Sequence, residues 1–177
     1  MRLTLNFIYG AAGCLAAFFI FAIFVVMIAQ TVMREFGMRT GGTDDIVAWF
    51  CAAAAFLAMA DTFKRGDFVR VGLLIESLPP KTRQAFEIGS LAVASAFCGY
   101  LAFWACQYTY ESWQFKDMAN GLIVIPLWIP QLSFVIGAII LCVAVVDEFI
   151  IVLSGRRPTY VIATEERHAR GDFTEDV

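Results

Sequence analysis

Histidine is almost missing from this sequence: the single one, His168, sits in the polar last segment. Five cysteines are present, Cys14, Cys51, Cys98, Cys106 and Cys142, but each stands alone inside an apolar run. With no Cys-x-x-Cys pair and no Cys/His grouping, a zinc centre, a disulfide framework and a thiol oxidoreductase with paired cysteines all lose their basis. Charge is scarce as well, at 16% of residues with a net of −3. None of it falls in the middle of the long apolar runs. Ionisable groups inside a membrane segment mark transport paths, so this pattern argues against a self-contained proton- or ion-coupled carrier. A small self-contained exporter would carry a carboxylate in its first span, and residues 7–33 hold none. The expectation is a chain that is not an enzyme, holds no cofactor or metal and binds no nucleic acid.

What the sequence has is apolar length. Hydrophobic residues make up 60% of it, against about 45–50% in soluble domains. Four runs are long enough to matter, and they predict an all-α integral membrane protein. The first, Phe7 to Met33, is too long for a signal-peptide core and reads as a retained helix. The second, Ile46 to Ala60, is bounded by Asp44, Asp45 and Asp61 and must borrow residues beyond Asp61 to cross. The third covers Ile88 to Tyr110. In the fourth, Pro126 and Pro130 place the helix start near Trp128, since proline is tolerated in a first turn. The expected spans are about 7–33, 45–63, 86–110 and 128–153, forming a membrane domain over residues 1–154. Residues 155–177 are polar and read as a loosely ordered tail.

Orientation follows from Lys and Arg. With the N-terminus in the cytoplasm, the inner segments hold Arg2, Lys64, Arg65, Arg70, Lys81, Arg83, Arg156, Arg157, Arg167 and Arg170, and the outer ones only Arg34, Arg39 and Lys116. Both termini are therefore expected inside. Trp49, Trp104, Trp113 and Trp128 would then lie at or near the outer interface as aromatic anchors. The inner hairpin KRGDFVRVGLLIESLPPKTR (64–83) places Phe68, Val71, Leu74, Ile75 and Leu78 on one side of a helix and Arg70 opposite. A short amphipathic helix lying in the headgroup plane is expected there, ended by Pro79-Pro80.

The same hairpin resembles the segment between the second and third helices of the small permease subunits of TRAP (tripartite ATP-independent periplasmic) transporters, the DctQ-like family. Arg65-Gly66, Val69-Arg70-Val71, Leu78-Pro79 and Arg83 carry the likeness. VMREF (32–36), TDDIVAWF (43–50) and IPLWIPQL (125–132) resemble the family's first-helix end, second-helix start and fourth-helix start. Gly72, Asp67 and Glu35-Phe36 depart from its pattern. The resemblance implies a bacterial inner-membrane, multi-pass protein paired with a large polytopic permease subunit, as a heterodimer or higher assembly. A periplasmic substrate-binding protein would deliver an organic acid, and a sodium gradient, coupled in the large subunit, would drive its import. The small subunit would scaffold and anchor the large one. A four-helix assembly factor is the alternative class.

Several residues are candidate structural or partner contacts. Thr43, Asp44 and Asp45 either cap the second helix or pair with Arg34 across the outer hairpin. Asp61 and Arg65 stand i,i+4 and pair locally, next to Gly66. Asp147 and Glu148 lie inside the expected fourth span and either reach the headgroups or meet basic groups of a partner. Small residues at Ala48/Ala52/Ala55, Gly13-xxx-Ala17, Ala92-xxx-Ala96 and Ser95-xxx-Gly99 allow close helix approach, within a four-helix bundle or at a second interface.

Overall fold

The computed structural model describes residues 2–38, 40–66, 79–155, 158–162 and 169. Its architecture is all-α: α1 (Arg2–Glu35), α2 (Thr43–Arg65), α3 (Pro80–Gln114) and α4 (Trp128–Leu153). All four contain a segment long and apolar enough to cross a membrane, namely Phe7–Glu35, Thr43–Arg65, Thr82–Gln114 and Trp128–Leu153. The expected amphipathic helix at 68–78, with Arg70, lies outside the described residues, as does Arg39.

Helix ends follow from the residues that stop them. α1 closes on Gly37, whose φ of 71° is left-handed. There the Met38 N–H donates to the Met33 carbonyl and Gly37 to Arg34, the paired bonds that satisfy a helix's last carbonyls. α2 runs from Gly42 to Gly66, both left-handed. Proline at the first position opens α3 after Pro79, where no N–H is needed. Among the described residues the only β pairing is an isolated bridge between Met118 and Pro126, within the loop joining α3 to α4.

The helices do not close into a bundle, one of the two settings that the small-residue faces left open. α1 packs on α2, α2 on α4 and α4 on α3, while α1 barely reaches α4. The order across the molecule is a row, α1–α2–α4–α3. α4 is central, with half of its spanning window buried against 11% for α1 and α3. Its buried face repeats every three to four residues through Val135, Ala138, Leu141, Val145, Glu148 and Val152.

Backbone approach is closest where α2 and α4 run parallel. A Cβ on Gly137 would stand 2.6 Å from the Phe56 carbonyl carbon, and the rings of Phe56 and Phe134 meet edge to face at 4.3 Å. On the other side, Ala12 and Ala16 of α1 pack with Ala53 and Leu57 of α2. The alanine face in use on α2 is Ala53, Ala54 and Ala60, while Ala48, Ala52 and Ala55 remain exposed. With neighbours on both flanks, α2 turns its 53/57/60 edge inward, which leaves the other small stripe outside.

Candidate functional site

The most concentrated chemistry lies at the end where α2 and α4 finish. Lys64 Nζ sits 2.8 Å from Asp147 Oδ2 and 3.0 Å from Glu148 Oε2. Glu148 is wholly buried, and Lys64 and Asp147 are 14% and 30% exposed at their side chains. The Lys64 ammonium also stands 5.5 Å from the centre of the Tyr9 ring, a cation–π contact from α1. Tyr9 packs with Ala60 and Ala144, which have no accessible surface. Three helices are thus tied together by one lysine.

Glu148 uses its second oxygen on the chain beyond α4. The Thr159 N–H donates to Oε1, and the Thr159 hydroxyl donates to Oε2 at 2.6 Å. Pro158 is buried and the Tyr160 ring lies 6.2 Å from Phe63. Residues 158–162, expected to be part of a loosely ordered tail, are therefore docked; a buried carboxylate needs donors, and the returning chain supplies two. Thr159→Val should cost about 1–3 kcal/mol by leaving a lone pair of a buried carboxylate unsatisfied. Denaturant unfolding in detergent would read this; an unchanged midpoint would mean that water replaces the hydroxyl.

Beside this cluster Arg65 and Asp61 form the expected i,i+4 pair, 2.8 Å apart. Asp61 leans against Gly13 of α1, where a Cβ would come within 2.7 Å of its Oδ2. Gly13→Ala should therefore shift the Asp61 side chain and cost about 1 kcal/mol, and should be near neutral in an Asp61→Ala background, as a double-mutant cycle of melting curves would show.

At the opposite end, the N-cap of α2 is Gly42 with no side-chain cap bond. Thr43 Oγ1 donates instead to the Thr40 carbonyl at 2.9 Å, and Asp44 and Asp45 sit in the first turn, where the helix dipole favours them. Gln30, not Arg34, reaches Asp44, at 3.2 Å; Arg34 is exposed and makes no ion pair among the described residues. Asp45 lies over Gly121, where a Cβ would fall inside the carboxylate. Trp49 and Trp128 are half-buried near the starts of α2 and α4, and Trp113 is exposed at the end of α3. Trp104, half exposed, is nine residues back along α3, about 13 Å deeper.

These contacts tie the helices of this chain to one another. Asp147 and Glu148 neutralise Lys64 of the same chain, and among the described residues no cluster of three or more His, Cys, Asp and Glu is placed to hold a metal. Sequence reasoning singled out Asp147 and Glu148 but missed Lys64, Tyr9 and Thr159. The available signal was a lysine at the inner end of one span and two acids at the inner end of another, opposite charges at one level.

The family model described as "Tripartite ATP-independent periplasmic transporters, DctQ component" matches residues 23–155, more than half of the chain. A search of curated proteins with this chain found no match.

Proposed function

The chain belongs to the DctQ component family of tripartite ATP-independent periplasmic transporters, and we propose that it is the scaffold of such a transporter rather than its transport path. It is a multi-pass membrane component. In this reading it lies in the bacterial inner membrane with the Lys64 end and both termini in the cytoplasm, paired with a large permease subunit. That subunit takes an organic acid from a periplasmic binding protein and couples its entry to sodium. Arg34, Asp44, Asp45, Asp61, Arg65, Gly66, Arg70, Asp147 and Glu148 serve in this reading as structural or partner contacts.

One observation carries the reading: Lys64, Asp147 and Glu148 are closed on each other and on Thr159. A transport path needs polar groups turned toward a water-filled cavity, whereas these are committed to holding α1, α2, α4 and the returning chain. The open row supports it from another side, because every helix keeps an outward face on which a larger membrane protein can sit.

Tagged protein extracted from native membranes in mild detergent should bring down one large polytopic protein in about equal amount, identified by mass spectrometry. Recovery of a lone monomer or homodimer, with the large subunit demonstrably expressed, would overturn the reading. Vesicles carrying this chain alone should show no sodium-dependent uptake.

A further inference from the structure

The outward faces of α1, α3 and α4 differ in chemistry. On α4 the exposed residues are Ile129, Leu132, Ile136, Ile139, Val143, Val146 and so on, aliphatic throughout. On α1, from Phe7 to Ala29, no exposed side chain carries an oxygen or a nitrogen. Such surfaces suit lipid tails. The outward face of α3 does not: Tyr100, Trp104, Gln107, Tyr108 and Glu111 are all exposed.

Depth turns this difference into an argument. The Leu127 N–H donates to the Asp117 carbonyl and the Asp117 N–H to that of Ser112, so α3 ends and α4 begins at one level. At about 1.5 Å per residue, Asp147 lies roughly 28 Å from Trp128, close to the thickness of a hydrocarbon core. The matching stretch of α3 runs back from Trp113 to about Ala94, with its midplane near Trp104. Tyr100 and Trp104, 65% and 50% exposed, therefore sit deep in the membrane. Gln107, bonded to Glu111 at 3.1 Å, is only about 9 Å from its edge. Polar groups facing hydrocarbon without partners are costly, and Tyr and Trp are the residues enriched at protein interfaces.

We propose that the Tyr100–Glu111 face of α3 is where the large permease subunit docks, and that it presents hydrogen-bond donors to the Gln107–Glu111 pair and a recess for Trp104. This rests on the scaffold reading above. A second copy of this chain is a poor occupant. Two copies of the same orientation are related by an axis along the membrane normal, so both Glu111 carboxylates would be brought into one interface with no added cation from α3's outward face. The outward faces of α1 and α4 are left to lipid.

The test is photocrosslinking in native membranes holding the whole transporter, with p-benzoylphenylalanine placed at Phe97 or Phe103 on α3, Phe21 on α1, or Ile139 on α4. Adducts with the large subunit are expected from the two α3 positions alone. As a second measurement, Trp104→Ala combined with Gln107→Leu should lower recovery of the large subunit at least tenfold while the isolated chain melts as before. Adducts with the large subunit from Phe21 or Ile139 and none from α3 would overturn the docking face and leave the scaffold reading intact. Adducts between two copies of this chain at α3 would also overturn it. No large-subunit adduct from any position, with no co-purification, would instead remove the scaffold reading itself.

Discussion

Lys64→Met should destabilise the fold by about 3–5 kcal/mol, the range for removing one partner of a buried ion pair. The substitution keeps most of the side-chain volume, so little of the loss is packing. What it leaves is Glu148, without accessible surface, and Asp147 beside it, with no cation between them. Two carboxylates that close repel, and burial disfavours charge on either. The Tyr9 ring also loses the ammonium next to it. Adding Glu148→Gln should recover a large part of the loss, because an amide oxygen still accepts from Thr159 and the second charge is gone. Arg65→Met is the control: that side chain is 65% exposed, and exposed pairs contribute about 0–1 kcal/mol. Unfolding by denaturing detergent, followed by tryptophan fluorescence, would rank the three. Equal losses from Lys64→Met and Arg65→Met would mean that the cluster is hydrated and does not hold the helices.

Gly137→Val should be the most damaging change in the apolar part of the row. Even the first added carbon would meet the Phe56 backbone at 2.6–2.7 Å, and backbone cannot rotate away as a side chain can. α2 and α4 would have to separate along their contact, costing about 1–3 kcal/mol for overpacking, with valine toward the top of that range. The Phe56–Phe134 edge-to-face contact would open with them. Gly99→Ala on α3 is the matched control, since nothing lies within 4 Å of its added carbon. There alanine's better helix propensity should be neutral or gain up to about 1 kcal/mol. The same unfolding measurement separates the two. A Gly137 variant as stable as the Gly99 variant would show that the α2–α4 seam is not tightly packed.

Particular elements show how far the residues alone carried. Uncharged runs bounded by Asp44/Asp45, Asp61 and Pro79-Pro80 predicted four membrane-spanning helices, because length and missing charge are local properties. Pro126 and Pro130 marked the start of α4 near Trp128 for an equally local reason. The family was legible from short motifs in a fixed order. The Asp61–Arg65 pair was legible because helix geometry alone brings i and i+4 together.

Lys64 and Glu148 are 84 positions apart, and no periodicity connects them. They meet only because α2 and α4, parallel through the one span between them, are packed as neighbours with Gly137 on the Phe56 backbone. The order of the row was equally invisible. Small residues occur at Ala48/Ala52/Ala55 as well as at Ala53/Ala54/Ala60, and only the choice of flanking partners decides which set is buried. Thr159 lies in a stretch whose composition suggests no packing, and it is held because Glu148 needs donors where α4 ends. By itself the sequence determined the helices, their number, the class of the protein and the family, since these depend on neighbouring residues and their hydropathy. Tertiary structure alone decided which helices touch, which charges neutralise each other and which faces are left outward, because those depend on residues that the chain brings together from far apart.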